Sequence, residues 1–411
     1  MCARLIDLLR RADWLTRERV IAWSSVLFCV ELLLLVFLAL WQHGVFVPVA
    51  HSPASDFASF YAAGKLTLAG TPQLAYDQAA HYLAQRQATG TDAPHQFFFY
   101  PPVYLLLCAP LATMPYLVAF AVFQLATLAM FIAMMRALVR EHGYAWPMPL
   151  LAFPAVFWTI GLGQNSFLTA TLFGGFTLLL QRKPLGAGAL LGAMCYKPHF
   201  GLLVPVALLA GRQWRSFAAA AGTVACLVGV SIALFGWQSW TGYFTAFAHS
   251  DDVYVSGTID FAGIITPFGA ARLLGFAPGA AYVVQAVVTL IMVGLIALLW
   301  HRPPSYNPRA AALLSATLLA VPLALLYDNL LLLVAAGWLL REARDTGPLN
   351  WERIVLLATY PLALLTLQFG QAFHIPLGPV VTGAVLVLCL RRAWLHLPDR
   401  TVYAPPLGAT P

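Results

Sequence analysis

Apolar runs of about 15–22 residues recur along the chain, separated by short polar clusters, which is the patterning of membrane-spanning helices. The runs predict spans over residues 21–41, 115–138, 147–161, 165–181, 185–196, 199–211, 215–235, 279–300, 308–325, 327–341, 353–370 and 375–392. At 1.5 Å per residue, a hydrocarbon core of ~30 Å needs about 20 helical residues. Segments 185–196 and 199–211 are too short to cross alone, so they read as half-helices meeting at a break at Lys197, Pro198 and His199. The stretch 101–113 is also short and reads as re-entrant or interfacial. Two long polar loops remain, 42–100 and 236–278. The expectation is an all-α polytopic membrane protein of about 11–13 transmembrane helices, with interfacial helices in its long first loop. One transmembrane domain covers 21–395, between an N-terminal segment, 1–20, and a tail, 396–411.

Composition narrows the class. The 411 residues are 61% hydrophobic and 9% charged, against roughly 25% charged in a soluble domain. So few charges cannot cover a water-facing surface, which excludes a soluble enzyme, a DNA-binding protein and a disordered chain. A mean hydropathy of +0.78 agrees. The 28 prolines mean that many segments bend or end inside the membrane. The net charge of +7 does not mean nucleic acid, because the basic residues sit in clusters between apolar runs. With the N-terminus in the cytoplasm, every Lys and Arg falls on the cytoplasmic side except Lys65, Arg86, Lys197 and Arg272. Both termini are then cytoplasmic and both long loops are outside. Arg4, Arg10, Arg11, Arg17 and Arg19 precede an uninterrupted apolar run, so 21–41 reads as a signal anchor with no cleavable signal peptide evident. The six cysteines lack metal-ligand spacing and read as packing residues.

The outer side is where chemistry is expected, since long loops between membrane helices usually have a task. Ser52 with Pro53, or Ser55, can cap a helix whose Phe57, Phe60, Tyr61, Leu66 and Leu68 suit a membrane surface. Asp56 falls on its first turn, either as a dipole-stabilising carboxylate or as a general base. Gly70 is a natural terminator, and Tyr76 and Asp77 begin a second helical piece. His95 to Pro102, with Tyr100, reads mainly as an aromatic belt. Gln164 and Asn165 join two apolar spans, where amides either bind a sugar hydroxyl or cap helices. Lys197, between Tyr196 and His199, is the strongest signal, one of three lysines and placed at the half-helix break. An intramembrane cation is costly unless paired or facing a wet cavity, and the half-helix amides after Pro198 also attract anions. A phosphate fits there; a lysine reaching the interface is the plainer reading. Asp328 either pairs with a cation such as Lys197 or caps the next helix. Glu31 must face the bundle interior. The glycines at 186, 188 and 192 form a close-packing surface.

No D-x-D, Walker, G-x-S-x-G or HExxH motif occurs, so nothing points to a soluble nucleotide donor. Asp56, Phe57, Tyr61, Ala62, Ala63, Gly64, Leu68 and Gly70, then Tyr76 and Asp77, resemble the opening signature of glycosyltransferase family 87. Tyr100, Pro101 and Pro102, Pro110, Leu111 and Pro115, Gly163, Gln164 and Asn165, Lys197 and Pro198, and Tyr327 and Asp328 follow in the family's order. The tail beyond 340 carries no matching landmark.

The resemblance implies a GT-C membrane fold in a bacterial plasma membrane and an extracytoplasmic active site. It also implies an inverting hexosyltransferase with a polyprenyl-phosphate-sugar donor and a glycolipid or glycan acceptor. The best-known members are mycobacterial mannosyltransferases that elongate phosphatidylinositol mannosides, which makes mannose the expected sugar. Asp56 matches the family's proposed base. Lys197 and His199 would hold the donor phosphate, and Tyr61, Lys65, Tyr100, Gln164, Asn165, Tyr196 and Asp328 would support the substrate. No cofactor is expected; a divalent metal is not required, although Asp56 with Asp251 or Asp252 could hold one. The residues leave two other classes open: a lipid-linked sugar flippase or transporter, and a scaffold.

Overall fold

The computed structural model describes residues 2–41, 55–90, 95–139, 147–249, 260–301 and 305–395. Among them every extended regular element is a helix, with one isolated antiparallel bridge between Ile264 and Leu325. Among the described residues, six helices are long and apolar enough to cross a membrane: Arg17–Phe37, Tyr116–Val139, Trp214–Phe235, Pro278–His301, Glu352–Phe373 and Leu377–Trp394. The protein is an all-α polytopic membrane protein.

The remaining apolar runs form shorter helices, so the expected spans are not all single rods. The run at 147–161 divides into Met148–Leu151 and Pro154–Leu162, because Pro154 has no amide hydrogen to continue the first turn. The half-helix reading holds at 185–211. Pro184–Ala193 runs into a 3-10 turn, Met194–Tyr196, and after Lys197 a second turn, Pro198–Gly201, leads into Val204–Ala210. The stretch at 101–113 becomes Pro102–Leu111, buried at Val103, Tyr104, Leu105 and Cys108 against protein.

The core is built on Tyr306–Ala320 and Leu330–Thr346, lined on one side by Pro278–His301 and Leu377–Leu395. Every residue from 310 to 320 is buried, as an apolar helix surrounded by other helices must be. The two core helices are separated by residues 321–329, a wider break than the sequence pattern predicts. Pro322 lies in it, and Ile265 N–H donates to Ala324 O at 2.9 Å while Thr266 Oγ1 donates to Pro322 O at 2.9 Å. The break exposes backbone that the neighbouring segment satisfies, as buried polar groups require. It carries Asp328 into the centre of the protein.

The glycine surface packs closely at two of its three positions. A Cβ at Gly188 would stand 2.3 Å from Ser216 O, and one at Gly192 2.6 Å from Ala220 O, both on the facing helix Trp214–Phe235. At Gly186 the nearest atoms are 3.8 Å away. Gly188→Ala is therefore expected to cost about 1–3 kcal/mol and Gly186→Ala nearly nothing. Thermal unfolding of the two variants in detergent checks this contrast.

Candidate active site

Asp56 stands in the first turn of Ser55–Leu68, half-buried. Its neighbours decide where it points. Phe57, Phe60 and Tyr61 are buried among Phe123, Tyr104 and Tyr116, so the aromatic face that suits a membrane surface packs on protein. A Cβ at Gly64 would lie 2.2 Å from Cys108 O, so this helix crosses Pro102–Leu111 at its one residue without a side chain.

Across from Asp56, Pro154–Leu162 ends at Gly163 with φ +70, a left-handed conformation that favours glycine. A Cβ there would also stand 2.8 Å from Phe57 Cβ. That close approach brings in Gln164, whose Nε2 donates to Asp56 Oδ2 at 3.0 Å. The amide is oriented from its other end. Gln164 Oε1 accepts from Asn165 N at 3.1 Å and from the Tyr100 hydroxyl at 3.5 Å. Gln124 Nε2 donates to Gln164 O at 3.1 Å.

The next two residues extend the connection. Asn165 Nδ2 donates to the Tyr104 hydroxyl at 3.2 Å, and Ser166 Oγ donates to Asp328 Oδ1 at 3.0 Å. Lys197 Nζ reaches the same Asp328 oxygen at 3.1 Å, with both side chains almost fully buried. Asp328 Oδ2 accepts from Leu325 N at 3.1 Å, so Asp328 both pairs the lysine and caps its turn. Lys197 is thus a buried, paired cation and not one reaching for the interface. Tyr100, Tyr104 and Tyr196 stack beside this line, with centroids 4.6 Å and 5.0 Å apart. The Tyr196 hydroxyl shares a hydrogen bond of 2.8 Å with Thr169 Oγ1.

Burial pushes the Asp56 carboxyl up from its ordinary 3.8 to about 6, against the pull of the Gln164 hydrogen bond and the Lys197 charge. That value suits a group that must be ionised yet still take up a proton near neutrality.

The structure therefore gathers Asp56, Tyr100, Gln164, Asn165, Tyr196, Lys197 and Asp328 into one network. Two residues expected with them, Tyr61 and Lys65, stand elsewhere. Tyr61 donates its hydroxyl to Met114 O at 2.8 Å and serves the packing of its helix. Lys65 is exposed and lies 5.4 Å over the Tyr61 ring. His199 is half-buried against Phe200 and adjoins the Lys197–Asp328 pair, close enough to feel both charges. Tyr100 is half-buried and turned inward, so the aromatic-belt reading of this stretch fails for it. Ser52, Pro53, Asp251 and Asp252 lie outside the described residues, and among the described ones no group of three or more His, Cys, Asp or Glu side chains converges for a metal. Glu31 is buried, and its Oε1 has no partner among the described residues.

Sequence reasoning missed Tyr104, Ser166, Thr169 and Gln124. Tyr104 follows Tyr100 by four residues, and Ser166 and Thr169 continue from Asn165 along one helix. The first-turn spacing was a usable signal for these. Gln124 sits in a long apolar span and gave only its polarity.

The chain matches glycosyltransferase family 87 over residues 98–326, more than half of its length. It belongs to glycosyltransferase family 87. No curated protein and no solved structure matches it. The family 87 match includes Tyr100, Gln164, Asn165, Tyr196, Lys197 and His199, while Asp56 and Asp328 flank it. Membership makes this chain a membrane glycosyltransferase.

Within this family 87 chain, Gly163 is the position where one methyl group should separate the site. Gly163→Ala meets both a strained φ and Phe57 Cβ. The Asp56 helix must then withdraw from Gln164. Glycosyl transfer is expected to fall by at least about tenfold, with misplacement of about 1 Å able to cost more. Turnover measured beside thermal stability checks that the loss exceeds any loss of folded protein.

Proposed function

We propose that this protein moves a hexose, mannose first among candidates, from a polyprenyl-phosphate donor to a glycolipid or glycan acceptor. Transfer takes place on the extracytoplasmic face of a bacterial plasma membrane, in a GT-C fold with both termini cytoplasmic. One observation carries the reading: a half-buried carboxylate with one oxygen fixed by Gln164, in the same network as the buried Lys197 and Asp328. Asp56 Oδ1 has no hydrogen bond among the described residues and is the oxygen left for substrate. The acceptor hydroxyl attacks the anomeric carbon and gives its proton to Asp56. The bond from that carbon to the phosphate oxygen breaks, and polyprenyl phosphate leaves with the electron pair. Inversion follows from attack opposite the leaving group.

Lys197 lies where the developing negative charge can be met, so no general acid is required. Its pairing with Asp328 uses one ammonium hydrogen and leaves two for the phosphate. His199 stands beside it as a further donor. The tyrosine stack supplies flat apolar faces next to hydroxyls and amides, a surface that suits a sugar ring. The function is tested with purified protein in nanodiscs, radiolabelled polyprenyl-phosphate hexoses and membrane lipid extract. Transfer from one lipid-phosphate hexose supports the reading. Movement of lipid-linked sugar across vesicles without transfer would replace it with a flippase.

A further inference from the structure

Segment 95–100 has no regular secondary structure, yet it delivers Tyr100 to the Gln164 amide. What holds it in place is a set of side-chain bonds. Gln96 N donates to Gln85 Oε1 at 3.1 Å, Ser59 Oγ donates to Phe97 O at 3.2 Å, and the Tyr76 hydroxyl donates to Tyr100 O at 3.0 Å. The fourth is a pair of imidazoles. His81, fully buried on Gln78–Thr89, stands 2.9 Å from His95 Nε2 through its Nδ1, and 3.1 Å from Ser59 O through its Nε2. Ser59 lies one helical turn after Asp56. Two rings thus join the Asp56 helix, the next helix and the segment that carries Tyr100.

While both rings are neutral, the proton inventory of this contact has one solution. Ser59 O can only accept, so His81 Nε2 carries a hydrogen and donates it. In a neutral ring Nδ1 then accepts, and His95 Nε2 must be the donor. His95 Nδ1 is left as a bare lone pair, and it is buried without a partner among the described residues. Burial favours this neutral arrangement, holding His81 down near 4 and His95 below its usual value. Among the described residues, the groups packed on the rings offer no negative charge to counter that. Phe98 and Phe97 stand against them from the same segment, Tyr82 from the helix, and Arg86 lies over Tyr82. Asp77 is spent capping Ala80 N, and the Asp56 helix presents only the Ser59 carbonyl to His81. Asp92 lies outside the described residues.

We infer that His81 and His95 are positioning residues for glycosyl transfer, a neutral imidazole couple that fixes Tyr100 and through it the Gln164 amide at Asp56. The inference rests on the reading of Asp56 as the base. Neither ring touches the site; they act through segment 95–100. A first proton goes to the bare His95 Nδ1 and leaves the bond in place; a second, on His81 Nδ1, sets donor against donor and releases the segment, so the couple opens only when both rings are charged.

The test has an arm that needs no substrate. Hydrogen–deuterium exchange is followed in peptides covering residues 96–104 for wild type, His81→Phe, His95→Phe and His95→Gln. The two Phe variants are expected to exchange at least about tenfold faster there, and His95→Gln, whose amide still donates to His81, to stay near wild type. Wild type brought below pH 4, where both rings are charged, should resemble the Phe variants once the slower intrinsic exchange of amides in acid is divided out. His95→Phe, at a half-buried ring, serves if His81→Phe fails to fold. In the second arm, polyprenyl-phosphate mannose and membrane lipid extract are supplied at pH 7.5. The Phe variants are expected to lose at least about tenfold in kcat with donor KM within twofold and thermal stability little changed, and His95→Gln to recover it. Unchanged exchange in both Phe variants overturns the inference, as does faster exchange with unchanged kcat. If Asp56→Asn transfers as well as wild type, the base assignment falls instead, and the exchange arm still decides whether the couple holds the segment.

Discussion

Asp56→Asn is expected to reduce transfer by at least about 10²-fold while leaving the protein as stable at pH 7.5 as wild type, or more so. The two effects have one cause. In the fold the Asp56 carboxyl titrates near 6, raised from 3.8 by burial. A carboxyl raised in this way is easier to bury protonated than ionised. Folding therefore loses stability as pH climbs from the unfolded value through about 6, and the loss is complete above it. Keeping this carboxyl ionised in the fold at neutral pH costs on the order of 2–3 kcal/mol. Asparagine has no charge to bury and keeps an oxygen for the Gln164 amide, so it escapes that cost. It cannot accept the acceptor's proton, so it loses the reaction. The wild-type rate should fall about tenfold per pH unit below 6 and level off above, since only ionised Asp56 is a base. Thermal unfolding of both proteins across pH 4–8, beside transfer rates, checks all three points. An Asp56→Asn protein that transfers normally, or a rate indifferent to pH between 5 and 7, would remove Asp56 from the mechanism.

Periodicity carried the architecture because lipid imposes it. A helix that faces hydrocarbon must be apolar throughout, so the six long spans announce themselves as runs. The break at Lys197 was legible for the same reason: a lysine and a proline between two short apolar segments cannot belong to one continuous span. Asp328 was visible as a charge in an apolar stretch. Its two roles were posed as alternatives, and the structure satisfies both, because a carboxylate has two oxygens and uses them separately.

The aromatic stretches were less legible. Phe57, Phe60 and Tyr100 have the composition of a membrane-interface belt, and the same residues equally suit a buried core. Pattern cannot separate the two where neighbours in space are distant in sequence. Gly163 illustrates what was missing. Its glycine is required by Phe57, which stands more than a hundred residues earlier. The Asp56–Gln164 contact follows from that crossing and from nothing local. The imidazole couple was hidden in a similar way, since His81 and His95 stand 14 positions apart with no shared helical spacing.

The Lys197–Asp328 pair should give a large stability effect and separate folding from transfer. Asp328→Ala removes the carboxylate that pairs with the buried Lys197 ammonium. It also leaves Leu325 N and Ser166 Oγ without their acceptor. Breaking a buried pair by deleting one partner costs about 3–5 kcal/mol, because the remaining charge stays in a medium that cannot solvate it. Lys197→Met should cost less. Asp328 then still receives hydrogen bonds from Ser166 and Leu325, while the methionine fills most of the space and faces Phe200 and Tyr327. Combining Lys197→Met with Asp328→Asn removes both charges and keeps an acceptor for the turn. The double variant is expected to recover most of the stability lost in Asp328→Ala, since a buried ion pair and an uncharged replacement of similar volume often differ little. It should still fail to transfer, with a raised donor KM as well as a lowered kcat, because the cation that meets the phosphate is gone. Thermal unfolding of the variants, with a donor titration on those that fold, distinguishes the outcomes. A double variant that is stable and fully active would make the pair a structural clamp and move the phosphate site elsewhere.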